Sequence, residues 1–152
     1  MADIFISHST EDAAFAEQAH RFMESQGVSV FLAPFSIAAG QNWTDEVKRN
    51  LKCSSMVLFL ASRAACNSPF VQQELGGAFF GDKRIVPVVW EIAPEELPGW
   101  VSQSQAVDIR KKTVDEIRTA FSAIAQRLKI DKRNFWVVAG ALVAAYLILS
   151  SG

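Results

Sequence analysis

The run SMVLFLA, from Ser55 to Ala61, constrains this chain more than any other stretch. It is apolar after its first residue and too short to form a helix of its own. A strand without polar alternation has both faces covered, which is the pattern of a central strand in a parallel sheet. Parallel strands need crossover connections, usually helical, so the flanking sequence should alternate between strands and helices.

It does. DIFIS (Asp3 to Ser7) is a β-branched and aromatic run that ends in turn-forming Ser and Thr residues. Ser9 and Asp12 have the spacing of a capping box, with Asp in place of the usual Glu. A helix is predicted to about Gln26, because Phe15, Ala16, Ala19, Phe22 and Met23 recur on one face, and Gly27 is placed to end it. VSVFL (Val28 to Leu32) reads as the second strand, and APFSIAAGQN as a loop marked by Pro34 and Gly40. Trp43, Val47 and Leu51, four apart, predict a second amphipathic helix.

After the central strand come a loop, SRAACNSPF, and a helix that holds Glu74. RIVPVVW is a fourth strand and AVDI (Ala106 to Ile109) a short fifth. Thr113 and Glu116 form another capping box, and Val114, Ile117, Phe121, Ile124 and Leu128 stripe the last helix of the soluble domain. The predicted fold class is α/β, a five-stranded parallel sheet wound on both sides. Ligands of such sheets bind beyond the carboxyl ends of the strands, here the loops SHSTED, APFSIAAGQN and SRAACNSPF.

Composition removes several function classes. The chain has 152 residues, enough for one domain with an appendage, and its net charge of −1 offers no broad footprint for nucleic acid. The basic clusters are short: Arg110 to Lys112, then Lys129, Lys132 and Arg133. Cys53 and Cys66 have neither metal-ligand nor disulfide-framework spacing and read as small apolar fillers in a reduced compartment. No metal site is expected, since no His/Cys/Asp cluster has ligand spacing, and His20 reads as a helix surface or boundary residue. SHSTED stands where a dinucleotide-binding fingerprint would follow the first strand, and no Walker-type loop occurs. A phosphorylated receiver is also excluded, because Glu11 and Asp12 lie too far into the helix and Ala61-Ser62 follows the third strand. MADIFIS carries no basic n-region, so the fold is expected to begin at once.

Glu74 is the residue with two readings. It lies one turn beyond Phe70, on a helix whose other residues mostly suit burial, and beside the expected cleft. It is either a solvated helix-face acid or a carboxylate set there for chemistry.

These segments together resemble a Toll/interleukin-1 receptor (TIR) domain of the prokaryotic type, from about Ala2 to Leu128. DIFISHSTED resembles the family's first box. GVSVFLAPFSIAAGQNWTDEVKRNLKCSSMVLFLAS resembles its second strand, its loop ending in G-x-x-W and its third strand. SPFVQQELGGAFFGDKRIVPVVW resembles the segment with the family's glutamate, and LPGWVSQSQAVDI the run into the last strand. The resemblance implies a flavodoxin-like fold for residues 1–128. It places Glu74 on the catalytic glutamate and Phe70 on the aromatic position four before it. Ser7, His8 and Ser9 fall on the edge that lines the nucleotide pocket, and Phe35, Gly40 and Trp43 on the loop. Ala33 and Pro34 depart from the family, standing where many members carry an acid after the second strand.

The activity implied is cleavage of NAD between nicotinamide and ribose, with NAD as substrate and no resident cofactor. The product is ADP-ribose or a cyclic form, in antiphage or immune signalling switched on by self-assembly with other TIR domains. The alternative implied is a non-enzymatic TIR–TIR scaffold. Phe70 then either stacks on a flat ring or fills the core, and His8 either meets a phosphate or ends the strand.

Beyond a basic linker, residues 129–134, FWVVAGALVAAYLIL (Phe135 to Leu149) contains no charge. With residues 150–152 included, a helix from residue 135 would span about 27 Å, against a hydrocarbon core of roughly 30 Å. Basic residues precede the run, Phe135 and Trp136 sit at its start, and Tyr146 lies near its end. Gly140 with Ala144 and Ala141 with Ala145 are small pairs of the kind that lets helices approach closely in lipid. The expectation is an apolar C-terminal helix, residues 135–152, that crosses the bilayer once as a tail anchor with the TIR domain cytoplasmic. A buried or oligomer-packing helix is the competing reading.

Overall fold

The computed structural model describes residues 2–33 and 45–150, with side chains described up to 134 and at Val137. Five parallel strands, β1 (Ile4–Ser7), β2 (Val30–Leu32), β3 (Met56–Leu60), β4 (Arg84–Val89) and β5 (Val107–Asp108), form one sheet in the order β2-β1-β3-β4-β5. Among the described residues, five α-helices connect or flank them: α1 (Ala13–Ser25), α2 (Asp45–Cys53), α3 (Arg63–Cys66), α4 (Pro69–Phe80) and α5 (Val114–Ser150).

Every residue of β3 is buried, as its unbroken apolar run requires. Successive side chains of a strand point to opposite faces, and the sheet divides its core accordingly. Phe5, Val57 and Phe59 pack with Val47 and Leu51 of α2 and Val71, Leu75 and Ala78 of α4. Ile4, Ile6, Leu58 and Leu60 pack on the other face with Ala16, Ala19 and Met23 of α1 and Phe121, Ala125 and Leu128 of α5. The chain leaves β1 toward β2 on one side and places β3 on the other, so the topological switch point lies between β1 and β3.

Gly27 ends α1 at φ +81°, where a Cβ would be strained, and its N–H donates to the Glu24 carbonyl. The Thr113–Glu116 capping box forms in both directions: the Thr113 hydroxyl accepts from the Glu116 N–H (3.3 Å), and the Glu116 carboxylate from the Thr113 N–H (2.7 Å).

Several expectations are corrected. The box at Ser9 and Asp12 does not form; a 3-10 turn (Thr10–Asp12) comes first, α1 starts at Ala13, and the Asp12 carboxylate accepts from the hydroxyls of Ser9 and Ser62 rather than from a backbone N–H. β2 and β5 are shorter than the sequence suggested, and SRAACNSPF contains the short helix α3. Cys53 is exposed rather than a core filler, whereas Cys66 packs against the core. α5 runs through the basic residues 129–134 to Ser150 as one helix. Among the described residues, no helix is long and apolar enough to cross a membrane. All of Phe135–Leu149 except Val137 lies outside the residues with described side chains.

The direction of α5 is fixed by its last described contacts. Lys132 pairs with Asp3, just before β1, and Arg84 at the start of β4 pairs with Asp131 at 3.2 Å. The helix therefore leaves the domain at the amino-terminal edge of the sheet, opposite the loops where ligands are expected.

Candidate active site

Ser7 is the last residue of β1 and pairs in register with Phe59 of β3. It shares a strand face with Phe5, the face that α4 covers. Helix α4 is started by Ser68, whose hydroxyl accepts from the Val71 N–H (3.4 Å), with Pro69 in the first turn, where its missing N–H costs nothing. That start directs one helical face, Val71, Glu74, Leu75 and Ala78, toward the sheet. Glu74 is thereby carried into the protein beside the end of β1.

The result is a carboxylate with 6% of its surface exposed, held by one strong bond. The Ser7 hydroxyl donates to Glu74 Oε2 at 2.5 Å, in the short range of charge-assisted hydroxyl–carboxylate bonds. Burial raises the Glu74 pKa from 4.5 to about 7, and the Ser7 bond opposes that rise. The reading of Glu74 as a solvated surface acid is therefore overturned. Phe70, one turn earlier on α4, is 42% exposed, which removes the core role considered for it.

His8 and Ser9 follow Ser7 and are both buried. Burial lowers the His8 pKa, against the opposing effects of a backbone hydrogen bond with Ile6 and the charge of Asp12. Phe35, Gly40 and Trp43 lie outside the described residues. His20 sits on the partly exposed side of α1, 3.4 Å from Glu24, as a boundary residue would. Among the described residues there is no group of His, Cys, Asp and Glu able to hold a metal ion.

Asp12, Ser62 and Glu91 were not among the residues expected to act together at this edge. One carboxylate oxygen of Asp12, Oδ2, accepts from both the Ser9 hydroxyl (2.6 Å) and the Ser62 hydroxyl. Ser62 also caps α3, accepting from the Ala65 N–H at 3.0 Å, and the Arg63 N–H donates to Glu91 (3.0 Å). Asp12 therefore clamps the β1–α1 turn to the β3–α3 turn across the switch point. Asp12→Ala leaves two partly buried hydroxyls without their acceptor and is expected to cost about 1–3 kcal/mol. Urea denaturation should show the loss, with Asp12→Asn retaining part of it as a remaining acceptor.

A family model described as a TIR domain matches residues 4–128. The chain is similar to the TIR domain of a Toll-related receptor from Hydra magnipapillata, with a TM-score of 0.67 and 14% identity over 85% of this chain and 99% of that one. The TIR domains of the activated Roq1 resistosome, which recognises the pathogen effector XopQ, give 0.61 and 15% over 86% and 99%. A metazoan TIR-STING receptor from C. gigas, in complex with 2′,3′-cGAMP, gives 0.61 and 22% over 80% of this chain and 40% of that one. At these identities the likeness is one of fold. No curated protein gives a significant match.

Proposed function

Since this chain belongs to the TIR domain family, we propose that it cleaves NAD, releasing nicotinamide, with Glu74 as the catalytic carboxylate. The observation that carries this reading is the burial of Glu74 at the carboxyl edge of the sheet, with Ser7 as its hydrogen-bond partner among the described residues. A buried carboxylate without a cationic partner is expensive to keep, and a fold that needed only a helix would carry an apolar residue there.

The chemistry suits a single acid. Most glycoside hydrolysis needs a second carboxyl group to protonate the leaving group. The nicotinamide ring of NAD is already cationic and departs neutral, so that proton is unnecessary. As the bond from ribose C1′ to the ring nitrogen breaks, positive charge develops on the sugar, and a fixed carboxylate stabilises it. Water then adds hydroxide to C1′ and releases a proton, giving ADP-ribose; attack by an adenine nitrogen would give a cyclic product instead. Phe70, exposed one turn before Glu74 on α4, offers its ring for stacking.

The same proposal includes membrane anchoring through residues 135–149 and activation by self-assembly in immune signalling. Its support is that α5 continues as one helix to Ser150 and leaves from the edge opposite Glu74. A bilayer there would crowd the domains in two dimensions while leaving the active edge clear. The non-enzymatic scaffold remains the second reading. Phe79 and Phe80, 52% and 88% exposed at the end of α4, favour it as apolar surface suited to a neighbouring TIR domain.

The test compares the full chain with a version ending at Lys132, each fractionated from cells and incubated with NAD at high protein density. The full chain is expected to pellet, resist carbonate extraction and release nicotinamide at the higher rate per molecule. If both versions stay soluble, the anchor is wrong. If neither releases nicotinamide even when crowded on a surface, the scaffold reading stands.

A further inference from the structure

We propose that Ser7 is a positioning residue for the Glu74 carboxylate rather than a contact for the substrate. This rests on the reading of Glu74 as the catalytic group and gives Ser7 a different part from its neighbours His8 and Ser9.

The geometry commits the Ser7 side chain. It is completely buried, and its hydroxyl proton is already donated to Glu74 Oε2 at 2.5 Å. A hydroxyl has one proton to give, so Ser7 cannot also donate to a ribose or phosphate without releasing the carboxylate. Its backbone is fixed as well, because β1 is hydrogen-bonded to β3 with Ser7 in register with Phe59. The donor is therefore anchored to the most deeply buried part of the sheet, while Glu74 rides on a separate helix. One bond across 67 positions of sequence locks the helix-borne carboxylate to the sheet.

Two consequences follow. Holding Oε2 fixes the plane of the carboxyl group and leaves Oε1, which has no hydrogen-bond partner among the described residues, as the oxygen for substrate. The bond also favours the ionised carboxylate, opposing the effect of burial. The shift at Glu74 is set by burial and the opposing Ser7 bond, and the titratable groups of the adjoining β1–α1 turn include His8 and Asp12. Ser7 thereby helps to keep the carboxylate available as an anion.

The test uses the full chain and three variants, Ser7→Ala, Ser7→Thr and Ser7→Cys, with two readouts. The first is nicotinamide release against pH. Ser7→Ala should move the acidic limb upward by about one pH unit or more and lower kcat near neutrality about tenfold. KM for NAD should stay within about twofold, much of the loss should be recovered at alkaline pH, and Ser7→Thr should restore both quantities. The second readout needs no activity: the carboxyl carbon of isotopically labelled Glu74 is titrated by NMR in the substrate-free protein. The midpoint should rise in Ser7→Ala and return in Ser7→Thr. If Ser7→Ala does not fold, Ser7→Cys, with its weaker donor, should show the same shifts at smaller size. A raised KM with kcat and the pH limb unchanged makes Ser7 a substrate contact and overturns the proposal. An unchanged Glu74 midpoint in a folded variant overturns it as well. If the wild-type protein releases no nicotinamide, the NAD reading fails by itself, and the NMR titration still decides whether Ser7 holds Glu74.

Discussion

Replacing Glu74 with glutamine is expected to reduce nicotinamide release by roughly a thousandfold and, at the same time, to make the protein more stable above neutral pH. The two effects share a cause. Glutamine keeps the shape of the side chain and a carbonyl oxygen to accept from Ser7, but it carries no charge to meet the developing cation. It also carries no charge to bury. Glu74 has a pKa raised from 4.5 to about 7 in the folded protein, so the folded state holds this proton more tightly than the unfolded chain does. Stability from this group is greatest below the ordinary value of 4.5, declines as pH rises through the window between 4.5 and about 7, and is lost above it. A shift of that size corresponds to about 3 kcal/mol. Thermal unfolding at mildly alkaline pH should therefore show Glu74→Gln more stable than wild type by up to about that amount, with the difference closing in acid. Loss of activity with unchanged or raised stability supports a carboxylate kept for function against the interest of the fold. Full activity in the folded variant would sink the assignment of Glu74.

The second large effect is expected at Phe59. It is completely buried near the carboxyl end of β3, within the cluster that joins the sheet to α2 and α4. Phe59→Ala removes a ring from that cluster and leaves a cavity, which should cost about 3–5 kcal/mol. For a single domain with total stability of roughly 5–15 kcal/mol, that is a large share. The urea midpoint should fall by about 1 M or more. The backbone of Phe59 is also the register partner of Ser7, so activity should drop further than the folded fraction alone explains. Phe80→Ala is the control: that ring is 88% exposed, and its removal should leave the urea midpoint unchanged. A midpoint shift at Phe80 equal to that at Phe59 would contradict the core assignment.

The chain contains eleven phenylalanines, and the difference between Phe59 and Phe80 illustrates how far the sequence can be read. In the strands, β-branched, aromatic and unbroken apolar runs were enough to bury Phe5 and Phe59, because helices on both faces of a parallel sheet leave its inner strands no solvent face. In α4 the apolar residues run nearly all the way round, so periodicity did not separate Val71 and Leu75, which are buried, from Phe79 and Phe80, which are not. Only the docking of the helix on the sheet decides that.

The site divides in the same way. By itself the sequence determined the alternation of strands and helices, the central place of β3, and the position of one acid, Glu74, on the helix that follows it. Each of these rests on local periodicity or on spacing within one segment. Tertiary structure alone decided that Ser7 meets Glu74 and that Asp12 meets Ser62, pairs 67 and 50 positions apart. Those meetings depend on β3 lying beside β1 with α4 across one face, an order that no local pattern encodes. The same packing took Glu74 out of water and raised its pKa, turning an ordinary helical glutamate into a side chain that is costly to ionise.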